Sequence, residues 1–147
     1  MIKTNWNTGS NDSITFSNII EQIKKHTLLK GTVYIGTDSF FIKDDCIFAT
    51  AICLYGADNQ QGGRYFFTKS RINKNKFPEL SIRMIKEAEN TINLSNTIMD
   101  EVPNAMLELH LDISPQENNE GTSHLAKMLV GYVKGSGYEC KIKPYAF

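Results

Sequence analysis

Three apolar, β-prone runs follow one another between Thr32 and Thr68, separated only by short polar connections. Runs this close can be joined as hairpins. Parallel neighbours would need a crossover of about a dozen residues or more. An antiparallel meander is therefore expected, with strands over Thr32–Phe41, Ile47–Tyr55 and Arg64–Thr68. In the first run, a period of two puts Val33, Ile35 and Thr37 on one face and Tyr34, Gly36 and Asp38 on the other. The second run is almost unbroken in its apolar character, which predicts burial on both faces.

After the meander the period changes. Leu80, Met84, Thr91, Leu94 and Ile98 recur at helical steps, widened by Ile85, Ala88, Ile92 and Met99. This predicts a helix from Pro78 to about Asp100, ended by Val102-Pro103-Asn104. A fourth strand follows over Ala105–Ile113, and the helix before it supplies the crossover that a parallel strand needs. Beyond a polar loop, Thr122 and Ser123 are candidate N-caps for a helix carrying Leu125, Met128, Leu129, Tyr132 and Val133. Gly135-Ser136-Gly137 stops it. Tyr138, Cys140 and Ile142 then alternate with Glu139, Lys141 and Lys143 in a fifth strand. Upstream, Phe16, Ile19, Ile20, Ile23 and Leu28 mark an N-terminal helix, with Gly31 as its stop.

The expected organisation is a flexible leader over residues 1–13 and a single domain over 14–147. The fold class is α/β. It has a mixed five-stranded sheet, three antiparallel strands and then helical crossovers, with helices on its faces, an N-terminal helix and no C-terminal helix.

Sixteen basic and sixteen acidic residues balance. The chain as a whole therefore has no attraction for polyanions, and nucleic acid must be met by a local patch. The candidate patch is Lys69, Arg71, Lys74 and Lys76, with Phe77 beside it; a solvated loop is the commoner fate of such a run. Cys46, Cys53 and Cys140 form no Cys-x-x-Cys pair, which argues for reduced thiols and against zinc. The opening residues are polar, with no apolar core of a secretory signal, and no apolar run reaches the roughly 20 residues of a bilayer span. A cytoplasmic chain without membrane contact is expected.

Two segments carry the candidate chemistry: Ile35-Gly36-Thr37-Asp38-Ser39 and His110-Leu111-Asp112-Ile113. Each delivers an aspartate near the end of a strand. With Gly62-Gly63-Arg64-Tyr65, Arg83-Met84-Ile85-Lys86-Glu87, Gly131-Tyr132-Val133, Gly137-Tyr138 and Lys141-Ile142-Lys143-Pro144, their order and spacing resemble the RNase H-like superfamily, and within it the YkuK family. The resemblance covers nearly everything from Val33 onward. It implies a divalent-metal nuclease acting on RNA, an RNA–DNA hybrid or structured DNA. Asp38, Glu87 and Asp112 would be the catalytic and metal-binding acids, and Mg²⁺ or Mn²⁺ the cofactor. Related proteins usually add an acid on a C-terminal helix, which this sequence lacks. Glu117, Glu120 or a partner subunit would have to substitute.

Residue chemistry alone leaves blander readings beside each of these. Asp38 and Asp112 also suit strand-end turns, and Glu87 could pair with Arg83 one helical turn earlier. His124, at the start of the last helix, is a candidate catalytic histidine by the resemblance; His110 suits a hydrogen-bonded strand position. Three functions compete. The first is the nuclease. The second is a non-catalytic binding or assembly module with a degenerate site, for which an open sheet face would favour a homodimer. The last is a phosphate-binding ATPase element suggested by Ile35-Gly36-Thr37-Asp38-Ser39, disfavoured because such enzymes need two such domains.

Overall fold

The computed structural model describes residues 5–112 and 120–142, with side chains from His124 onward in the second segment. A short hairpin opens the described chain, β1 (Trp6–Thr8) and β2 (Ser13–Ile14), followed by α1 (Phe16–Leu28). The meander is β3 (Thr32–Ile42), β4 (Asp45–Tyr55) and β5 (Arg64–Asn73). A 3-10 turn (Lys74–Lys76) leads to α2 (Leu80–Glu101), β6 (Met106–His110), α3 (Glu120–Gly135) and β7 (Glu139–Lys141).

The sheet has seven strands, in the order β2-β1-β5-β4-β3-β6-β7, where five were expected. The two additions come from the polar leader. β1 pairs antiparallel with β5, Asn7 opposite Phe67 and Thr8 opposite Phe66. Burial of Trp6 and its ring contact with Phe16, centroids 5.9 Å apart, anchor that edge. An apolar anchor at a single position was hidden by Asn, Thr, Ser and Gly neighbours. The expected meander and the parallel pairing of β3 with β6 are both present.

The helices do not lie on both faces as expected. One apolar cluster joins Ile19, Ile23, Ala88, Ile98, Leu129 and Val133 of the three helices to Val33, Ile35, Ile52, Leu54, Phe66 and Leu109. By the register of the strands, those strand residues all belong to one face. The reason is topological. β2, β3, β5, β6 and β7 run parallel, and the crossovers β2-α1-β3, β5-α2-β6 and β6-α3-β7 all advance across the sheet in the same direction. Right-handed crossovers then place every helix on the same side. Among the described residues, no helix packs on the other face.

β4 shows what this does to a sequence pattern. Its apolar run is not buried equally on both sides. Cys46, Phe48, Ile52 and Leu54 are sealed against helices or the Phe77 loop, while on the other face Ile47 is buried and Ala49, Ala51 and Cys53 are half-exposed. Two-sided burial thus holds at Ile47 and gives way to partial exposure at the small residues that follow.

Local chemistry sets the entry to the meander. Thr15 caps α1, its hydroxyl accepting the Asn18 N–H at 3.1 Å. At the other end His26 is buried, its Nε2 2.9 Å from the Thr32 carbonyl and 3.2 Å from that of Tyr55. A Cβ on Gly31 would stand 2.1 Å from that nitrogen. Gly31 is thus required for room, while the left-handed turn falls to Lys30, with φ of 65°. α3 begins at Glu120, so Thr122 and Ser123 lie inside the helix and do not cap it.

Candidate carboxylate site

Two rungs of polar contact fasten α2 to β3. The Thr91 hydroxyl lies 2.9 Å from that of Thr37, which is 3.0 Å from that of Thr50; all three are buried. One helical turn earlier, Ser39 donates its hydroxyl hydrogen to Glu87 Oε2. Four helical residues advance about 6 Å, and two strand residues about 6.6 Å. The second rung therefore follows from the first. Glu87 is delivered to the end of the apolar face, where the strand presents Ser39 instead of another aliphatic side chain.

Asp38 is exposed and takes the opposite, helix-free face, as the alternation predicts. Asp112 follows the end of β6. The register Tyr34–Glu108 and Gly36–His110 carries forward to Asp38 beside Asp112. Ladder pairing of β6 ends at His110, whereas β3 runs on to Ile42. Beyond that point no strand covers this side of β3 among the described residues, so groups from the two faces can approach one another around it. This is the carboxyl end of parallel strands, where open α/β sheets commonly place ligands.

The electrostatics reflect that approach. Glu87 is raised from 4.5 to about 7, chiefly by burial, with the negative charges of Asp38 and Asp112 adding to it. The Ser39 hydrogen bond and the Arg83 charge act in the other direction. The alternative partner for Glu87, an ion pair with Arg83, is not formed among the described contacts. The Arg83 guanidinium lies over the Phe41 ring at 4.8 Å, and its Nε is buried without a hydrogen-bond acceptor.

The histidines separate. His110 is buried, donates Nε2–H to Glu108 at 3.0 Å, and meets the Tyr34 ring edge-on at 5.4 Å. Burial holds its pKa down while Glu108 opposes that. His124 is exposed on α3, and no described hydrogen bond or ion pair joins it to Asp38, Glu87 or Asp112. The basic run also divides. β5 extends to Asn73, so Lys69 and Arg71 are strand residues, alternating onto the helix-free face, while Lys74 and Lys76 lie in the 3-10 turn. Arg71 pairs with Asp45 at 3.0 Å and Lys74 with Asp44 at 3.6 Å. Glu117 lies outside the described residues.

Against known protein families, residues 15–147 match the family described as Ribonuclease H-like. The chain belongs to that family. The match spans everything from the cap of α1 onward, and leaves the β1–β2 hairpin before it. No curated protein and no solved structure matches the chain. Membership in the Ribonuclease H-like family supports a nuclease or nucleic-acid-binding function in general terms.

Hard oxygen donors suit Mg²⁺ or Mn²⁺ better than any softer metal. The donor types of Asp38, Glu87 and Asp112 fit such an ion. Their side chains, however, are not gathered to coordinating distance: among the described residues no group of three or more His, Cys, Asp or Glu is close enough to hold a metal. No helix among the described residues is long and apolar enough to cross a membrane. Ser39 and Thr91 were not singled out from the sequence. Their signal was a hydroxyl residue on a strand face and a helix stripe that are otherwise apolar.

Proposed function

We propose that this protein is a divalent-metal-dependent nuclease in which Asp38, Glu87 and Asp112 hold the ion. The observation that carries the reading is the convergence of three acids at one end of the sheet: the register sets Asp38 beside Asp112, and α2 delivers Glu87 to Ser39 on the neighbouring position of β3. A carboxyl group half-buried beside two others is destabilised as an anion, and a bound cation relieves that directly. The chemistry such an ion supplies is acidification of a water and neutralisation of the leaving oxygen of a phosphodiester. Ser39 fixes the Glu87 carboxyl through its hydrogen bond, and the Thr91–Thr37 contact fixes the helix that carries it. Asp38 and Asp112, both exposed, are the groups that meet solvent and substrate.

The second reading, a binding module with a degenerate site, is favoured by the absence of a gathered metal cluster among the described residues. One panel separates them. Labelled RNA, RNA–DNA hybrid, single-stranded DNA and branched DNA are incubated with the protein in Mn²⁺ and in Mg²⁺, beside Asp38→Asn and Asp112→Asn. The nuclease reading expects cleavage that EDTA stops and that either substitution abolishes with the thermal midpoint unchanged. Cleavage persisting in the purified double variant, or none on any substrate, ends that reading.

A further inference from the structure

The helix-free face has a definite relief. Across one row, Tyr34 of β3 is followed by Cys53 of β4 and Tyr65 of β5; across the next, Gly36, Ala51 and Phe67; across the third, Asp38, Ala49 and Lys69. Cys53, Ala51 and Ala49 of β4, with Gly36 of β3, thus floor a trough between the larger side chains of β3 and β5. Its β5 wall is built of Tyr65, Phe67, Lys69 and Arg71, successive outward positions of one strand. Tyr65 is 49% exposed, its ring 6.4 Å from that of Phe67, and the Lys69 ammonium lies 5.9 Å from the Phe67 centroid. Lys69 is exposed and forms no ion pair among the described residues. The third row ends on Asp38 of the carboxylate site.

Aromatic rings beside cations on an uncovered sheet face match the chemistry of an unpaired nucleic acid strand. Bases stack on rings whatever their identity, and phosphates follow the cations. A duplex keeps its bases stacked inside and cannot use the rings. We propose that the β5 side of this face binds single-stranded nucleic acid, with bases on Tyr65 and Phe67 and phosphate at Lys69, leading the strand toward Asp38. The proposal names the form of substrate for the nuclease reading. It rests on that reading for the passage to Asp38, though not for the binding itself.

The test uses the full chain in EDTA, so that binding is read without cleavage. Fluorescence anisotropy follows labelled oligouridylate and oligothymidylate about 12 nucleotides long, a length within the reach of one such platform, and the corresponding duplexes. Both single strands should bind more tightly than the duplexes. Tyr65→Leu should weaken single-strand binding by about five- to hundredfold, the range for loss of a stacked base. Lys69→Ala should lower the slope of log affinity against log salt by about 0.7, as expected for one phosphate on a single strand. Lys24→Ala, on α1 across the sheet, should change neither.

Circular dichroism melts establish that each variant is folded. No strand binding, equal binding of duplex, or folded Tyr65→Leu and Lys69→Ala variants that bind like the parent overturn the proposal. So does a Tyr65→Leu variant that binds strands normally but splits a dimer in sedimentation, since the face would then serve self-association. Strand binding without cleavage in Mn²⁺ would end the nuclease reading and leave this one standing.

Discussion

On the helix-covered face, Val33, Ile35, Ile52, Leu54 and Phe66 are sealed from water; one residue along the same strands stand Tyr34, Gly36, Ala51, Cys53 and Tyr65. Backbone, register and twist are shared. Only the covering differs, and the composition of each face follows it. The covered face uses branched aliphatics that fill volume between helices. The other uses small residues, aromatic rings and charges, with Ile47 buried among them. Stability is therefore concentrated on one side of the sheet, and the other side is free to carry recognition. The carboxylate site lies where the two meet, with Glu87 reaching from the covered side and Asp38 from the uncovered one.

The comparison breaks first if burial is not the source of stability. Ile35→Ala, wholly enclosed, should cost about 2–5 kcal/mol. Ala51→Ser, beside it in the sheet but on the other face, should stay within about 0.5 kcal/mol. Urea denaturation of the two variants reads both, and similar losses would mean that the uncovered face is packed after all.

Next in size is the burial of Glu87. Its pKa is raised from 4.5 to about 7 in the folded chain, so the folded state holds its proton more tightly than the unfolded one. The parent should then be most stable below pH 4.5, lose stability as pH rises toward 7, and stay lower above it. Glu87→Gln removes that dependence while keeping an acceptor for Ser39. Its gain should be roughly 2–4 kcal/mol at pH 8, from about 1.4 kcal/mol per pKa unit, and vanish at pH 4. Thermal melts at the two pH values decide it. Equal stability of parent and variant at pH 8 would place Glu87 in a wetter setting than its partners imply. Mn²⁺ should raise the parent's midpoint at pH 8 and leave Asp38→Asn unchanged.

The smallest effect sharpens how the two sides are aligned. Thr91→Val keeps the volume and removes one hydroxyl from the chain that joins α2 to β3. It should cost about 1 kcal/mol. If Glu87 depends on that rung for its position, the Mn²⁺ stabilisation should also weaken. A stability loss with metal response intact would limit Thr91 to packing.

Much of this was legible in the residues. The order of strands and helices follows from period changes, and the alternation of Val33, Ile35 and Thr37 against Tyr34, Gly36 and Asp38 fixes both faces of β3. The single-sided helices were not read, although they follow from three parallel crossovers advancing one way. That inference needs the strand order, which depends on long-range pairing. The sequence pattern ends β5 at Thr68, because Lys69 and Arg71 look like loop residues, whereas the strand runs to Asn73. In an uncovered face, charge at alternate positions is compatible with a strand, and Phe66, Thr68, Ser70 and Ile72 continue the inward pattern. Asp38, Glu87 and Asp112 are candidates through the resemblance alone. Ser39 and Thr91, which set where Glu87 sits, are ordinary hydroxyl residues until the helix is docked.

The outermost strands are the least conspicuous part of the sheet. β2 has two residues and β7 has three, although the strands between them reach eleven. A long bare edge is a template on which another chain can add a strand, and growth from there leads to aggregates. Among the described residues β2 and β7 offer only a few backbone groups, and at β7 the charged Glu139 and Lys141 flank Cys140; the bare edge lies instead on β3 beyond Thr37 and on β5 beyond Thr68, which outrun β6 and β1. The tapering of the sheet therefore moves any strand addition away from its outermost strands and onto those two stretches, one of which carries Asp38.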